Sequence, residues 1–335
     1  MAKSDHITLE LDGHGVRFSN PGKVFFPARG HTKLDLGRYY LDVADAVLRG
    51  LRDRPTTLKR FPNGVDDEFF FQKRVPRGAP EWLEQMTISF PSGRTANHLV
   101  CQDSAHLASG INLGVVDWNP RPVRRSDGDH PDELRIDLDP TPEASWDDVR
   151  QVALCVREVL CEHELTGFPK TSGSRGIHIY VRIEQSVDFT EVRRAALALG
   201  REVERRRPEL ATTAWWKEER HGVFLDYNQN ARDRTIASAY SVRPNPDALV
   251  SCPLAWDEVP DAEPGDLRLD TVPARLRETG DPSAAIDAHP GSLDSLLELA
   301  ARDEHEGLGD APGPPQLRKQ RGEGRRVAPS RARRS

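Results

Sequence analysis

The chain of 335 residues has no long apolar run. Nothing in it approaches the ~20 apolar residues that a membrane-spanning helix needs, and 30% of its residues are charged. Its opening, MAKSDHITLELDG, lacks the apolar core of an export leader, so no membrane partner and a cytoplasmic location are expected. Cysteine is scarce as well. Cys101, Cys155, Cys161 and Cys252 form no CxxC pair and no metal-ligand spacing, which argues against a disulfide framework and a thiolate metal site. They are expected to be reduced and mostly buried. No internal repeat is apparent, and the formal net charge of −6 excludes a uniformly basic domain.

That charge is unevenly placed. Residues 316–335 hold eight Lys/Arg and one Glu, a net of +7, which leaves −13 on the preceding 315 residues. A nucleic acid bound by the body must therefore meet a local basic groove. From about position 306 the chain turns Gly/Pro-rich and then basic, so 306–335 is expected to be a disordered tail. Residues 1–305 are expected to form one globular unit.

The opening ITLELDGHGVRFSN alternates as strands do, and a helix is predicted at about 34–51 with Leu36, Tyr39, Tyr40, Val43, Val47 and Leu51 on one face. The middle of the chain reads strand, helix, strand, helix, strand. LRIDLD (134–139) is the first strand. Ser145 with Asp148 has capping-box spacing for the next helix. GIHIYVRI (176–183) alternates strictly, Thr190 is expected to cap a second helix, and GVFLDYNQ (222–229) is the third strand, with TIASAYSVR (235–243) as a candidate fourth.

Within LRIDLD, Asp137 and Asp139 stand two apart and so project together, while Ile136 and Leu138 enter the core. Paired carboxylates repel unless a cation lies between them. Carboxylate oxygens suit Mg²⁺ or Mn²⁺. Asp226 on a neighbouring strand would complete a three-carboxylate site for two such ions. The bland alternative is ion pairing with arginines such as Arg135. A second feature is Thr171-Ser172-Gly173-Ser174-Arg175-Gly176-Ile177-His178. Small residues running into a strand free backbone N–H groups for phosphate oxygens, and Ser172, Ser174 and Arg175 add donors, with His178 on the polar face. Each half alone is commonly structural; the order D-x-D, S-x-R-G-x-H, strand Asp is far more specific.

Asp137-Leu138-Asp139-Pro140, Ser172 to Tyr180 and Leu225-Asp226-Tyr227-Asn228-Gln229-Asn230 resemble the three motifs of the archaeo-eukaryotic primase superfamily. The likeness is closest to the polymerase domain of bacterial DNA ligase D and its stand-alone actinobacterial relatives, and it covers roughly residues 15–300. It implies an α+β fold in which an RRM-like catalytic sheet with flanking helices packs on a second β-rich layer. It implies a metal-dependent nucleotidyltransferase, a primase-polymerase that adds NTPs or dNTPs at primers, gaps and broken DNA ends. Two Mn²⁺ or Mg²⁺ ions on Asp137, Asp139 and Asp226 would serve as cofactors. Gly176, His178, Lys217, Arg220, Arg234 and Arg243, together with Lys59 in Lys59-Arg60-Phe61, resemble nucleotide-binding positions. Asn20, Lys23 and Lys33 resemble a pocket for the 5′-phosphate of a downstream strand, and Phe70 and Phe71 a pair that packs on template bases. By strand period Phe69 and Phe71 would share a face, so at least one of the three phenylalanines is expected to be buried. The likeness also implies a nucleoid-associated protein with end-joining or repair proteins as partners.

The chain departs from the pattern at Val116 to Pro120, where ligase D polymerase domains carry His and Trp118 stands instead. It contains no K-x-D-G ligase motif, so sealing of ends is expected to fall to another protein. Two readings compete with polymerisation: a two-metal phosphodiesterase or nuclease, and a DNA-end-binding scaffold without catalysis.

Overall fold

The structure is a computed structural model that describes residues 5–90, 93–313 and 328–330. The chain opens with a hairpin, β1 (His6–Leu11) and β2 (His14–Ser19), then a small pair, β3 (Val24–Phe26) and β4 (His31–Thr32). Two helices follow, α1 (Lys33–Asp42) and α2 (Ala44–Leu51). The expected single helix thus bends at Val43, whose backbone (φ −108°, ψ 17°) leaves the helical region. The expected face stays inside nonetheless: Leu36, Tyr39, Tyr40, Val43, Val47 and Leu51 are all buried.

Next come β5 (Pro55–Arg60), β6 (Phe70–Gln72), β7 (Gln85–Ser89), β8 (Thr95–Val100), α3 (Ser104–Asn112) and β9 (Val115–Pro120). They form a five-stranded antiparallel sheet in which β5 is central. It pairs with β9, with β8 through Pro55 and Thr56, and with β6 through Leu58 to Arg60. Trp118 is fully buried, its ring against Gly110 and edge-on to Tyr40; a Cβ on Gly110 would lie 2.3 Å from it. The position at which a departure from the family pattern was expected is therefore part of the core.

The second sheet is built from β10 (Glu133–Pro140), α4 (Trp146–Glu162), β11 (Gly167–Thr171), β12 (Ile177–Arg182), α5 (Phe189–Arg206), β13 (Ala211–Thr212) and β14 (Val223–Leu225). Its order is β11-β12-β10-β14-β13, which for the first four strands is the split β-α-β-β-α-β arrangement of RRM-like folds. The fold is α+β, as expected. Strand β11 was not expected: Pro169 interrupts its pattern, and proline is tolerated because this residue faces away from β12, its carbonyl accepting from the Leu254 amide at 2.9 Å, so its missing N–H removes no bond to that strand. Ser145 and Asp148 form the anticipated capping box on α4. On α5, Asp188 rather than Thr190 is the cap, because its carboxylate reaches the amides of Thr190 and Glu191 while Glu191 bonds back. The segment 235–243 is irregular rather than a strand, with Tyr240 in the left-handed region (φ 61°).

Helices α6 (Val272–Thr279) and α7 (Asp294–His305) complete the body, α7 against α5. Residues 306–313, where the tail was expected to begin, lie along α5: Arg201 donates to the carbonyls of Leu308 and Gly309, the latter at 2.7 Å. Residues 314–327 and 331–335, most of the expected tail, lie outside the described residues.

One apolar core runs through both sheets, and a buried ion network fastens them. Arg54, at the foot of β5, pairs with Asp132 (2.6 Å), which also meets Arg182 (3.0 Å) and Arg124 (2.7 Å); Glu133 pairs with Arg135 (2.7 Å). Arg135 is thus engaged by Glu133 and not by the D-x-D carboxylates. The cysteines are free, with Cys101, Cys155 and Cys252 buried and Cys161 exposed. Among the described residues no helix is long and apolar enough to cross a membrane.

Candidate active site

Asp137 and Asp139 leave β10 on the same side, with Ile136 and Leu138 buried beneath. Asp226 does not lie on a strand: β14 ends at Leu225, and Asp226 caps a short 3-10 turn, Tyr227–Asn230, accepting from the amide of Asn228 at 3.0 Å. The turn is held in place by Asp226 N–H to the Asp137 carbonyl (2.9 Å) and by Asn230, whose side chain bonds both the amide (2.9 Å) and the carbonyl (2.7 Å) of Arg135. One ligand atom from each of Asp137, Asp139 and Asp226 lies within 4.8 Å of the others.

Three carboxylates so close are unfavourable without a counter-charge. Burial, then Asp139 and Asp226, push the Asp137 carboxyl well above the ordinary carboxylate range. Asp139, at the rim, is lifted to about 6 by desolvation and Asp226, against the pull of Arg220 and Lys217. Among the described residues the buried Oδ1 of Asp137 accepts no well-formed hydrogen bond. An oxygen orphaned in this way, beside two further carboxylates, fits a hard divalent cation.

A row of side chains backs this cluster. Lys170 on β11, His178 on β12 and Asp137 on β10 stand directly opposite one another across three strands. The Lys170 Nζ lies 2.7 Å from His178 Nδ1, and His178 Nε2 lies 3.3 Å from Asp137 Oδ1. Burial, followed by the charges of Lys170 and Arg243, holds the His178 pKa well below its usual value, so the ring is neutral. Lys170 also donates to the Ala237 carbonyl (2.9 Å) and to Ser251 Oγ (2.5 Å).

The Ser172 loop is tighter than its glycines suggested. Ser172 Oγ accepts from the amides of Ser174 (3.2 Å) and Gly176 (3.0 Å), so these donors close the loop instead of facing outward. Gly173 has φ +66° and packs on Arg243, while a Cβ on Gly176 would sit 2.3 Å from the Leu138 carbonyl. What the loop offers outward is the exposed side chains of Ser174 and Arg175, the latter bonded to the carbonyls of Pro140 (3.2 Å) and Thr141 (2.7 Å).

Cationic groups surround the carboxylates. Lys217 is exposed on a 3-10 turn, Lys217–Glu219, whose first amide donates to the Pro329 carbonyl at 2.8 Å. The Arg220 guanidinium stacks 3.4 Å from the Phe224 ring centroid. Arg243 pairs with buried Asp117 (3.3 Å) on β9. Asp117 is also the β-sheet partner of Lys59 on β5. The Lys59 amine lies 4.2 Å from the Phe69 ring centroid, with Phe61 and Phe71 within 5.7 Å. Phe69, Phe70 and Phe71 are all about half exposed, against the expectation that one would be buried; β6 is an edge strand, and their packing partners are Lys59, Arg60 and Phe61. Arg234 is half-buried on the loop after the Asp226 turn.

The two N-terminal lysines adjoin but differ. Lys33 N–H donates to the Lys23 carbonyl at 2.7 Å. Lys33 is buried, its amine bonded to the carbonyls of Ser19 (2.7 Å) and Asn112 (2.8 Å) and to Asn112 Oδ1 (2.9 Å). Burial, then Lys23 and Arg60, lower its pKa to about 8. Lys23 donates to the Pro62 carbonyl (2.7 Å) and Asn63 Oδ1 (2.9 Å) at the surface, and exposed Asn20 sits in the left-handed region (φ 50°) beside it. Lys170, Asp117 and Gln229, whose side chain faces Asp137, were not anticipated.

The family described as LigD, primase-polymerase domain, matches residues 32–283. A multifunctional non-homologous end joining protein LigD from Mycolicibacterium smegmatis is 36% identical over 288 residues, covering 84% of this chain and 37% of that protein. The bifunctional LigD of Bacillus subtilis is 32% identical over 80% of this chain and 43% of its own length. The chain thus spans less than half of these relatives. The polymerase domain of Mycobacterium tuberculosis ligase D, solved in complex with DNA, superposes with a TM-score of 0.77 at 32% identity, covering 82% of this chain and 99% of that one.

Proposed function

Because the chain belongs to the LigD primase-polymerase domain family, we propose that it is a nucleotidyltransferase that extends primers or fills gaps in DNA with NTPs or dNTPs, in non-homologous end joining or related repair. The observation that carries this is the cluster of Asp137, Asp139 and Asp226, with its orphaned buried oxygen, opposite Lys217 and Arg220. Those three carboxylates would hold two Mg²⁺ or Mn²⁺ ions, which when bound supply charge neutralisation for a phosphoryl group and a lowered pKa for a hydroxyl nucleophile.

The residues around the cluster have separate tasks. Lys217, Arg220 and Arg243 form the positive wall that a triphosphate requires, and Ser174 and Arg175 extend it towards the terminal phosphates. Neutral His178, fixed by Lys170, presents an Nε2–H donor beside Asp137. Lys59, inside its phenylalanine cage, reaches the nucleotide from the other sheet, and Phe70 and Phe71 offer ring faces to template bases. The nucleophile is the primer hydroxyl, so no covalent protein intermediate is needed. Lys23, with Asn20, takes the 5′-phosphate of a downstream strand.

Membership of this family favours nucleotide addition over hydrolysis, and the complete carboxylate set argues against a scaffold without catalysis. Incubation with labelled primer-template, Mn²⁺ and NTPs tests the reading. Lengthened primer is expected; shortened product would mark a nuclease, and unchanged product with retained binding a scaffold.

A further inference from the structure

Beyond the part of the chain that matches the family, residues 306–313 reach the third carboxylate through one side chain. Arg193 projects from α5 and is buried, lying 5.1 Å from the Tyr227 ring centroid. Its Nε donates to Asn228 Oδ1 (3.1 Å), in the turn that Asp226 caps. Its other donors go to the terminal segment: Nη1 to the Asp310 carboxylate (3.0 Å), and Nη2 to the carbonyls of Ala311 (3.1 Å) and Pro312 (2.7 Å). Asn228 in turn gives its amide to Asp226 Oδ1. A continuous path therefore runs from Asp310 through Arg193 and Asn228 to Asp226.

The other fastenings of this turn, to Asp137 and Arg135, come from within the catalytic sheet. Arg193 alone among these contacts draws on residues past position 305. A guanidinium has five N–H donors in a rigid plane, so fixing its far side with Asp310 and two carbonyls sets where its Nε points. Removing those acceptors leaves a buried cation free to turn away from Asn228. The grip is polar: Leu308 is exposed, and Arg201 holds the carbonyls of Leu308 and Gly309.

We propose that residues 306–313 are a positioning element of the active site, which docks on Arg193 and thereby holds the Asp226 turn in its ligand-presenting form. The proposal rests on the reading of Asp137, Asp139 and Asp226 as metal ligands. Arg193 and Asp310 touch no reacting group and act through Asn228.

The test uses the full chain and Mn²⁺ alone as probe, with binding read from the paramagnetic signal of the free ion. Asp310→Ala is expected to weaken Mn²⁺ binding about tenfold, as loss of a group behind a ligand does. Asp310→Asn, which keeps an oxygen acceptor for Nη1, is expected to restore most of it. Amide exchange at Tyr227 to Asn230 should quicken in Asp310→Ala, while exchange in β10 and β12 stays unchanged. Asp226→Ala is the reference. If it binds Mn²⁺ like the unaltered protein, the metal-site reading itself fails. If it loses binding while Asp310→Ala retains full affinity and slow exchange, the positioning role is overturned and the metal site stands. An Asp310→Ala protein with faster exchange throughout β10 and β12 would also overturn it, since the segment would then serve general stability.

Discussion

Lys170 points its amine at Nδ1 of His178 from 2.7 Å, and this contact decides which face of the imidazole meets Asp137. The amine has three acceptors, His178 Nδ1, the Ala237 carbonyl and Ser251 Oγ, which is the full complement of an ammonium. While Lys170 keeps its third proton, against a burial that pulls its pKa well below the usual lysine value, Nδ1 accepts and the ring proton is placed on Nε2, 3.3 Å from Asp137 Oδ1. Lys170→Met would leave the tautomer unspecified. Extension is expected to slow about tenfold or more, with the ¹⁵N shifts of His178 moving from an Nε2–H pattern to a mixture. Unaltered shifts together with unaltered turnover would show that Lys170 does not set the tautomer.

Replacing Asp137, Asp139 or Asp226 with Ala is expected to abolish primer extension while leaving the fold intact, because none of the three carboxylates supports the apolar core. In metal-free protein the Asp137 change should leave stability unchanged or raise it, since it relieves a buried carboxylate pressed by two neighbours. Primer extension and thermal unfolding in chelator check both halves. A variant retaining more than a few per cent of activity would remove its residue from the site.

The lysine pair separates a phosphate contact from a structural one. Lys23→Ala is expected to weaken binding of gapped DNA bearing a 5′-phosphate about tenfold, a loss typical of one charge-assisted contact, and to leave open primer-template unaffected. Lys33→Ala should act first on stability, by ~1–3 kcal/mol, because it strips hydrogen bonds from half-buried Ser19 and Asn112 acceptors. Binding of phosphorylated and unphosphorylated gaps, set beside urea unfolding, distinguishes the two. Equal affinity of the unaltered protein for both gaps would defeat the idea of a dedicated pocket.

Acid should unfold the protein through the network at the foot of the two sheets. Burial alone would raise the Glu133 carboxyl, but Arg54, Arg135 and Arg182 outweigh it and hold the pKa at about 2. A carboxyl depressed on folding contributes stability that is complete above its unfolded value, near 4.5, and is lost as pH falls from there towards 2. Glu133→Gln is expected to cost about 3–5 kcal/mol at pH 7, the usual penalty for stranding a buried charge. It should also flatten the fall in stability below pH 4.5. Urea titrations at several pH values measure the slope; an identical acid limb in both proteins would count against this assignment.

Much of the site could be read from local pattern. Period two placed Asp137 and Asp139 together, the motif order added Asp226, and Ser145 with Asp148 announced a helix start. What escaped reading depends on neighbours that are distant in sequence. Lys170 belongs to the site because β11 lies beside β12, and Pro169 disguised that strand. Asp117 matters through Lys59 on the neighbouring strand and through Ser241 and Arg243, 124 and 126 residues on. Phe69 to Phe71 looked like core because apolar runs commonly are, yet β6 lies at a sheet edge, where these rings pack on Lys59, Arg60, Phe61 and one another. Lys33 resembled part of a phosphate pocket, but the Ser19 and Asn112 carbonyls occupy its amine. The path from Asp310 to Asp226 joins three segments, of which only the Asp226 turn carries a motif.

The bond between Arg54 and the Asp132, Glu133 and Arg182 cluster has a consequence for accuracy in copying. Lys59 and the phenylalanines stand on one sheet and the carboxylates on the other, and the two are joined at their base by charges that are costly to separate. Jaws fastened at the hinge swing only by breaking those pairs. If the chain polymerises as proposed, this build would give it no large closure with which to reward a well-matched base pair, and its selectivity would fall to the width of a preset slot and to small movements of rim side chains such as Arg175 and Phe71. Such a slot would suit frayed or mismatched ends, where waiting for perfect pairing would leave a break unfilled.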